Sequence, residues 1–198
     1  MSTVPATAAG QLGGEPSPAR WVGEVPVGWP ETRQGVVAAA ASDATAFSAL
    51  WFMTDTTRRH RTVELLAAPG IAAALQADQD RDAAAVLAGP FGAGLARAGV
   101  RSLLRTALLG WRLDDYRPDR AVVTLWAVVV WGNDGGLAPQ TTWTTTVARL
   151  VWADDWKLAG IDSTPGPVPV EGPTTPTAPA ELLAAATTLK GFLDVPAA

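Results

Sequence analysis

The chain has 198 residues, 48% hydrophobic and 17% charged, which excludes a wholly disordered polypeptide and leaves room for one domain with its own core. Its formal charge of −4 argues against a general nucleic-acid binder, because neutralising phosphates takes clustered Lys and Arg. The absence of cysteine excludes disulfides, thiolate catalysis and Cys-ligated metals together, and leaves the redox compartment open.

Residues 1–20 are Ala, Gly, Pro, Ser and Thr with almost no bulky apolar side chain, and are expected to form a disordered arm. No basic residue precedes Arg20 and no apolar run follows the start, so the segment does not read as a signal peptide. No later stretch has the roughly 20 consecutive apolar residues of a membrane span. On these features alone the expected location is cytoplasmic. Trp21 to Pro30 alternates large apolar with small or polar residues, and Pro26 and Pro30 keep it extended. Trp21 and Trp29 are both expected to lie against the domain.

A first helix is expected from Glu31 or Thr32, where a Thr able to cap follows Pro30. Val37, Ala40, Ala44, Phe47 and Trp51 share one face at helical spacing, with Asp43 at its rim. A second helix runs from Asp55 or Thr56 to Ala67, and a third restarts at Pro69 and ends before Gly89-Pro90. Arg58-Arg59-His60-Arg61 is the one basic knot; it reads as a solvated helix face, with an acidic partner or anionic lipid headgroups as the alternative. Phe91 to Gly99, punctuated by Gly92, Gly94 and Gly99, reads as a loop.

Strands follow. Ala121–Trp131, Thr141–Ala153 and Trp156–Asp162 are rich in β-branched and aromatic residues that fit a pleated surface, and Leu103–Leu113 is a weaker fourth. Tyr116-Arg-Pro-Asp-Arg120, Asn133-Asp-Gly-Gly136 and Asp154-Asp155 supply the turns. Trp126 and Trp131 lie an odd number of residues apart, so a regular strand sends them to opposite faces and needs cover on both. The expected organisation is a disordered arm at 1–20, one domain at 21–165, a Pro-rich linker at 166–179 and a short helix at 180–194. That helix would have Leu182, Leu183, Leu189 and Phe192 as its apolar side. The fold class is α+β, with N-terminal helices packed on a bent antiparallel sheet.

Val25-Pro-Val-Gly-Trp-Pro-Glu-Thr-Arg-Gln-Gly-Val-Val-Ala-Ala-Ala40 resembles the opening of an uncharacterised family of actinobacterial proteins. Tyr116-x-Pro-Asp-Arg-Ala-x-Val-x-x-Trp126, Trp143-x-Thr-Thr-Val147 and Leu150-Val-Trp-x-x-Asp-Trp-Lys157 resemble that family's strands. The resemblance implies a nuclear transport factor 2-like (cystatin-like) cone. It also implies similarity to the extracytoplasmic domains of TcpC-type conjugation scaffolds, which carry no catalysis and sit outside the cytoplasm.

Few residues offer chemistry. In cone folds a carboxylate or imidazole between helices and sheet serves several enzymes as general base, which makes Asp43 and His60 the candidates. Against them stands the plainer reading of a solvated or capping Asp43 and a His60 on an exposed basic turn. Asp78, Asp80 and Asp82 have calcium-like spacing but lack the Gly and closing Glu of such a loop, so no metal or cofactor is expected. No Gly-x-Ser-x-Gly occurs, and Gly89-Pro-Phe-Gly-Ala-Gly94 lacks the strand and Lys of a phosphate loop. Trp111, Trp126, Trp131, Trp143, Trp152 and Trp156 all fall on expected strands, where core packing is the default. The leading expectation is a non-enzymatic assembly or scaffold domain of a conjugation or secretion complex. Its partners would be proteins or further copies of itself, with membranes reached only through those partners. The rival is a small-molecule binder, or an enzyme with Asp43 as base.

Overall fold

The computed structural model describes residues 16–168; the expected arm up to residue 15 and the expected linker and helix from residue 169 lie outside them. The described chain is α+β, with helices followed by an antiparallel sheet. The extended lead-in is a small hairpin of β1 (Arg20–Val22) and β2 (Val25–Val27), turned at Gly23. Val25 and Val27 enter the core, but Trp21 stays 55% exposed, contrary to expectation. The odd-numbered valines of β2 face inward, while Trp21 lies on β1, whose three residues are all exposed among the described residues.

Helix α1 (Arg33–Phe47) begins where Thr32 accepts a hydrogen bond from Gly35 N at 3.0 Å. Its buried residues are Gly35, Val36, Ala39, Ala40, Asp43, Ala44, Ala46 and Phe47; Ala40, Ala44 and Phe47 are those expected, Val37 and Trp51 of the expected stripe are partly buried against the core, and Val36 and Asp43 go deeper than expected. The alanines leave little side chain between this helix and the sheet. Helix α2 (Leu50–Thr54) follows, and Asp55 then caps α3 (Thr56–Leu66) by accepting from Arg58 N at 2.9 Å. Helix α4 (Ala72–Leu87) starts later than Pro69, because Gly70 takes a positive φ and turns the chain first. The expected loop after Pro90 is instead a short helix, α5 (Pro90–Leu95). A Cβ on Gly92 would lie 1.9 Å from the Leu87 carbonyl oxygen, so this glycine serves close packing of α5 onto the end of α4.

Four long strands, β3 (Ser102–Arg117), β4 (Arg120–Asn133), β5 (Leu137–Trp152) and β6 (Trp156–Pro165), pair antiparallel in chain order. The first of them, expected to be weak, has 16 residues, as many as β5. Register shifts between Leu108 and Gly110, Leu113 and Asp115, Trp131 and Asn133, and Arg149 and Leu150 interrupt the ladders, as bulges that bend a sheet do. The helices pack on the face carrying Val123, Leu125, Leu150 and Leu158, where Phe47, Phe52, Val63, Leu66 and Trp156 complete the core. On the other face Val122, Trp126, Val128 and Val130 of β4 and Trp143, Val147 and Val151 of β5 are only partly exposed. At one edge, Ala68 N donates to Leu158 O at 2.8 Å, so the chain leaving α3 touches β6. At the other edge β3 has no further strand beside it among the described residues.

Candidate functional site

Asp43 lies in the core rather than at its rim. It is 1% exposed, and its Oδ2 has no hydrogen-bond partner among the described residues. Burial pushes its carboxyl well above the usual carboxylate range; the negative charge of Asp155 adds to this and Lys157 opposes it. Asp155, which the sequence suggested only as a turn residue, is the other acid here. Its carboxylate accepts from Gly28 N at 2.9 Å, Trp29 N at 3.0 Å and Trp156 N at 2.9 Å. Lys157 Nζ, 3.4 Å from that carboxylate, also donates to Leu65 O at 2.9 Å. Trp156 Nε1 donates to Pro30 O at 3.0 Å. These bonds tie the lead-in, α3 and the β5–β6 turn together. Asp155 is therefore a latch, and its signal in the sequence was two adjacent acids in a short turn between Trp-bearing strands.

His60 is elsewhere. Its Nε2 lies 2.8 Å from Asp80 Oδ2, on the outer side of α3 and α4, so the structure does not bring it together with Asp43. Asp80 is bound by His60 and by Arg59, which together hold its carboxyl below the usual range, with the His60 bond the larger cause. The basic knot is not simply a solvated face. Arg59 is 4% exposed, and its guanidinium donates to Phe52 O at 2.8 Å and to Met53 O at 3.3 Å, closing the end of α2. Arg58 lies over the Trp51 ring at 4.0 Å and bridges Glu24 at 2.8 Å. Only Arg61 of the knot is fully exposed. The three aspartates of α4 do not converge: Asp78 pairs with Arg81 and Asp80 with Arg59, and no metal-ligating cluster occurs among the described residues.

The space between helices and sheet is filled at the Trp156 end and open at the other. There a cleft of about 420 Å³ is lined by Met53, Val86, Phe91, Leu104, Val129 and Trp131, with Ser48 and Thr142 as its hydroxyls. Phe91 meets Trp131 edge to face at 6.0 Å. Both hydroxyls are engaged: Ser48 donates to Ala44 O at 2.7 Å, and Thr142 accepts from Trp131 Nε1 at 3.2 Å. No titratable side chain among the described residues lines the cleft, and neither Asp43 nor His60 reaches it.

Trp126 and Trp131 do face opposite ways. Trp131 lines the cleft, whereas Trp126 stacks on Trp143 at 5.1 Å on the face turned away from the helices, where its Nε1 donates to Pro167 O at 3.0 Å. Trp156 is core and Trp152 packs on it at 5.3 Å, but Trp111 is 54% exposed, so core packing holds for only part of the set. Compared with protein-family models, curated proteins and solved structures, the chain has no match. No helix among the described residues is long and apolar enough to cross a membrane.

Proposed function

We propose that this chain is a non-catalytic assembly domain that docks onto protein, its own copies included, through the side of its sheet turned away from its helices. The observation that carries this is the face of β4 and β5 turned away from the helices. Among the described residues it carries Val122, Thr124, Trp126, Val128 and Val130 of β4 and Trp143, Thr145, Val147, Arg149 and Val151 of β5, all partly exposed except the exposed Arg149, with Pro167 and Gly166 accepting from Trp126 and Thr145. Apolar surface of this extent, with aromatic residues at its centre, is characteristic of an interface. The buried acids add support: Asp155 is spent on holding the lead-in, and Asp43 lies outside the cleft where a substrate would sit. The resemblance to conjugation scaffolds suggests a conjugation or secretion complex as the setting. Light scattering after size exclusion, across a range of concentrations, tests self-association. Val128→Glu, which places a charge at the centre of the face, is expected to lower the observed mass, and an unchanged mass would remove this face from the assembly.

The cleft favours a second reading, the binding of a small uncharged molecule. Its size falls among ligand pockets of roughly 300–1,000 Å³, and its walls would recognise an apolar or aromatic body with little directional bonding. A neutral naphthalene probe should quench Trp131 and lose affinity in Leu104→Trp, which fills the space. Equal binding by both proteins would place the probe elsewhere.

A further inference from the structure

The free edge of the sheet has an internal symmetry. Gly110 pairs with Trp126 near the middle of β3. Counting along the β4 ladder, Arg105 (opposite Val130) lies four pairs to one side of it and Asp115 (opposite Val122) four pairs to the other. One bulge intervenes on each side, at Leu109 and at Asp114, so the two irregularities cancel. Two β3 strands laid antiparallel about a dyad at Gly110 therefore bring the ladder-paired residues, the bulged Leu109 and Asp114 aside, opposite residues of the same face. In that register Arg105 stands opposite Asp115 of a second copy, Leu108 opposite Trp111, and Thr106 opposite Leu113.

The residues this would satisfy are those that β3 leaves unsatisfied by itself. Arg105 and Asp115 are exposed and form no ion pair among the described residues, whereas Arg112 and Asp114 already pair with each other. Leu109 and Trp111, beside the dyad, are 49% and 54% exposed. Gly110 has open space where a Cβ would stand, which lets the two backbones approach at the axis. Charges and bulges ordinarily guard an edge against pairing. Here they are arranged so that one partner, the same strand inverted, meets opposite charge and apolar cover.

We infer that a second copy of this chain pairs edge to edge through β3, making one continuous eight-stranded sheet from two four-stranded ones with an isologous interface centred on Gly110. The inference presupposes that the domain self-associates, as proposed for its sheet, and names the surface and register. The test uses the full chain, sedimentation at several concentrations, and the variants Arg105→Asp, Asp115→Arg and their combination. Each single reversal should weaken the dimer by roughly tenfold or more, and the combination should recover most of that loss. Trp111→Glu should weaken it too, and circular dichroism checks that each variant is folded. A dimer indifferent to both reversals but broken by Val128→Glu overturns the edge pairing and leaves assembly through the sheet face standing. A protein monomeric at every concentration overturns the edge pairing and self-association with it.

Discussion

Asp43 is a carboxylic acid that folding makes harder to ionise, and its effect on stability has a definite sign. The folded state keeps the proton to higher pH than the unfolded chain, whose Asp titrates in the ordinary carboxylate range. Stability contributed by this site is therefore complete below the unfolded value and lost as pH rises toward the folded one, at a slope of at most about 1.4 kcal/mol per pH unit. Urea denaturation across that range should show the decline in the wild type and a flatter profile in Asp43→Asn; identical slopes would mean that Asp43 ionises as freely in the fold as outside it. Asp155→Ala should cost roughly 3–5 kcal/mol, since it strands three backbone N–H groups and the Lys157 ammonium. A loss below about 1 kcal/mol would show that the lead-in is held by its valines alone. Asp43 was visible in the sequence as a polar position beside a helical stripe, but its depth was not. Val36-Val-Ala-Ala-Ala-Ala41 is apolar on every side, so periodicity could not fix which residues face the sheet. Asp155 was hidden because two of its partners, Gly28 N and Trp29 N, are backbone groups more than 120 residues away.

The strands β4, β5 and β6 were legible because β-branched and aromatic residues there leave no competing helical pattern. Strand β3 was half legible, since its leucines and arginines suit a helix equally well and only the pairing with β4 decides. Helix α5 was missed for a different reason: its glycines read as chain breakers, yet Gly92 and Gly94 are small so that Leu87 and Asn133 can come close. That distinction gives a paired test. Gly92→Ala should destabilise the fold by about 1–3 kcal/mol and disturb the cleft behind Phe91, because the added carbon meets backbone. Gly89→Ala, where the nearest atom stands at an ordinary 3.5 Å, should stay within about 0.5 kcal/mol. Equal effects would mean that chain flexibility, not contact, is what these glycines provide.

The sheet divides the described domain into a helical side with a filled end and an open cleft, and a side on which none of its helices packs. If association is part of the native state, the melting temperature of the full chain should rise with protein concentration, because only the folded form binds. A melting temperature independent of concentration, over the range where sedimentation finds dimers, would mean that association does not favour the folded form. The domain also carries its own optical readout. Trp126 and Trp143, stacked at 5.1 Å with ring planes 27° apart, are close enough for their excited states to mix. Trp152 and Trp156, at 5.3 Å and 70°, form a second such pair inside the core. Each pair should split its absorption into a couplet of opposite signs in far-ultraviolet circular dichroism. The core couplet would report only unfolding, while the surface couplet would shift whenever a docked protein turns either indole. Replacing Trp143 by Phe separates the two signals, so one unlabelled sample can be watched for folding and for docking by light alone.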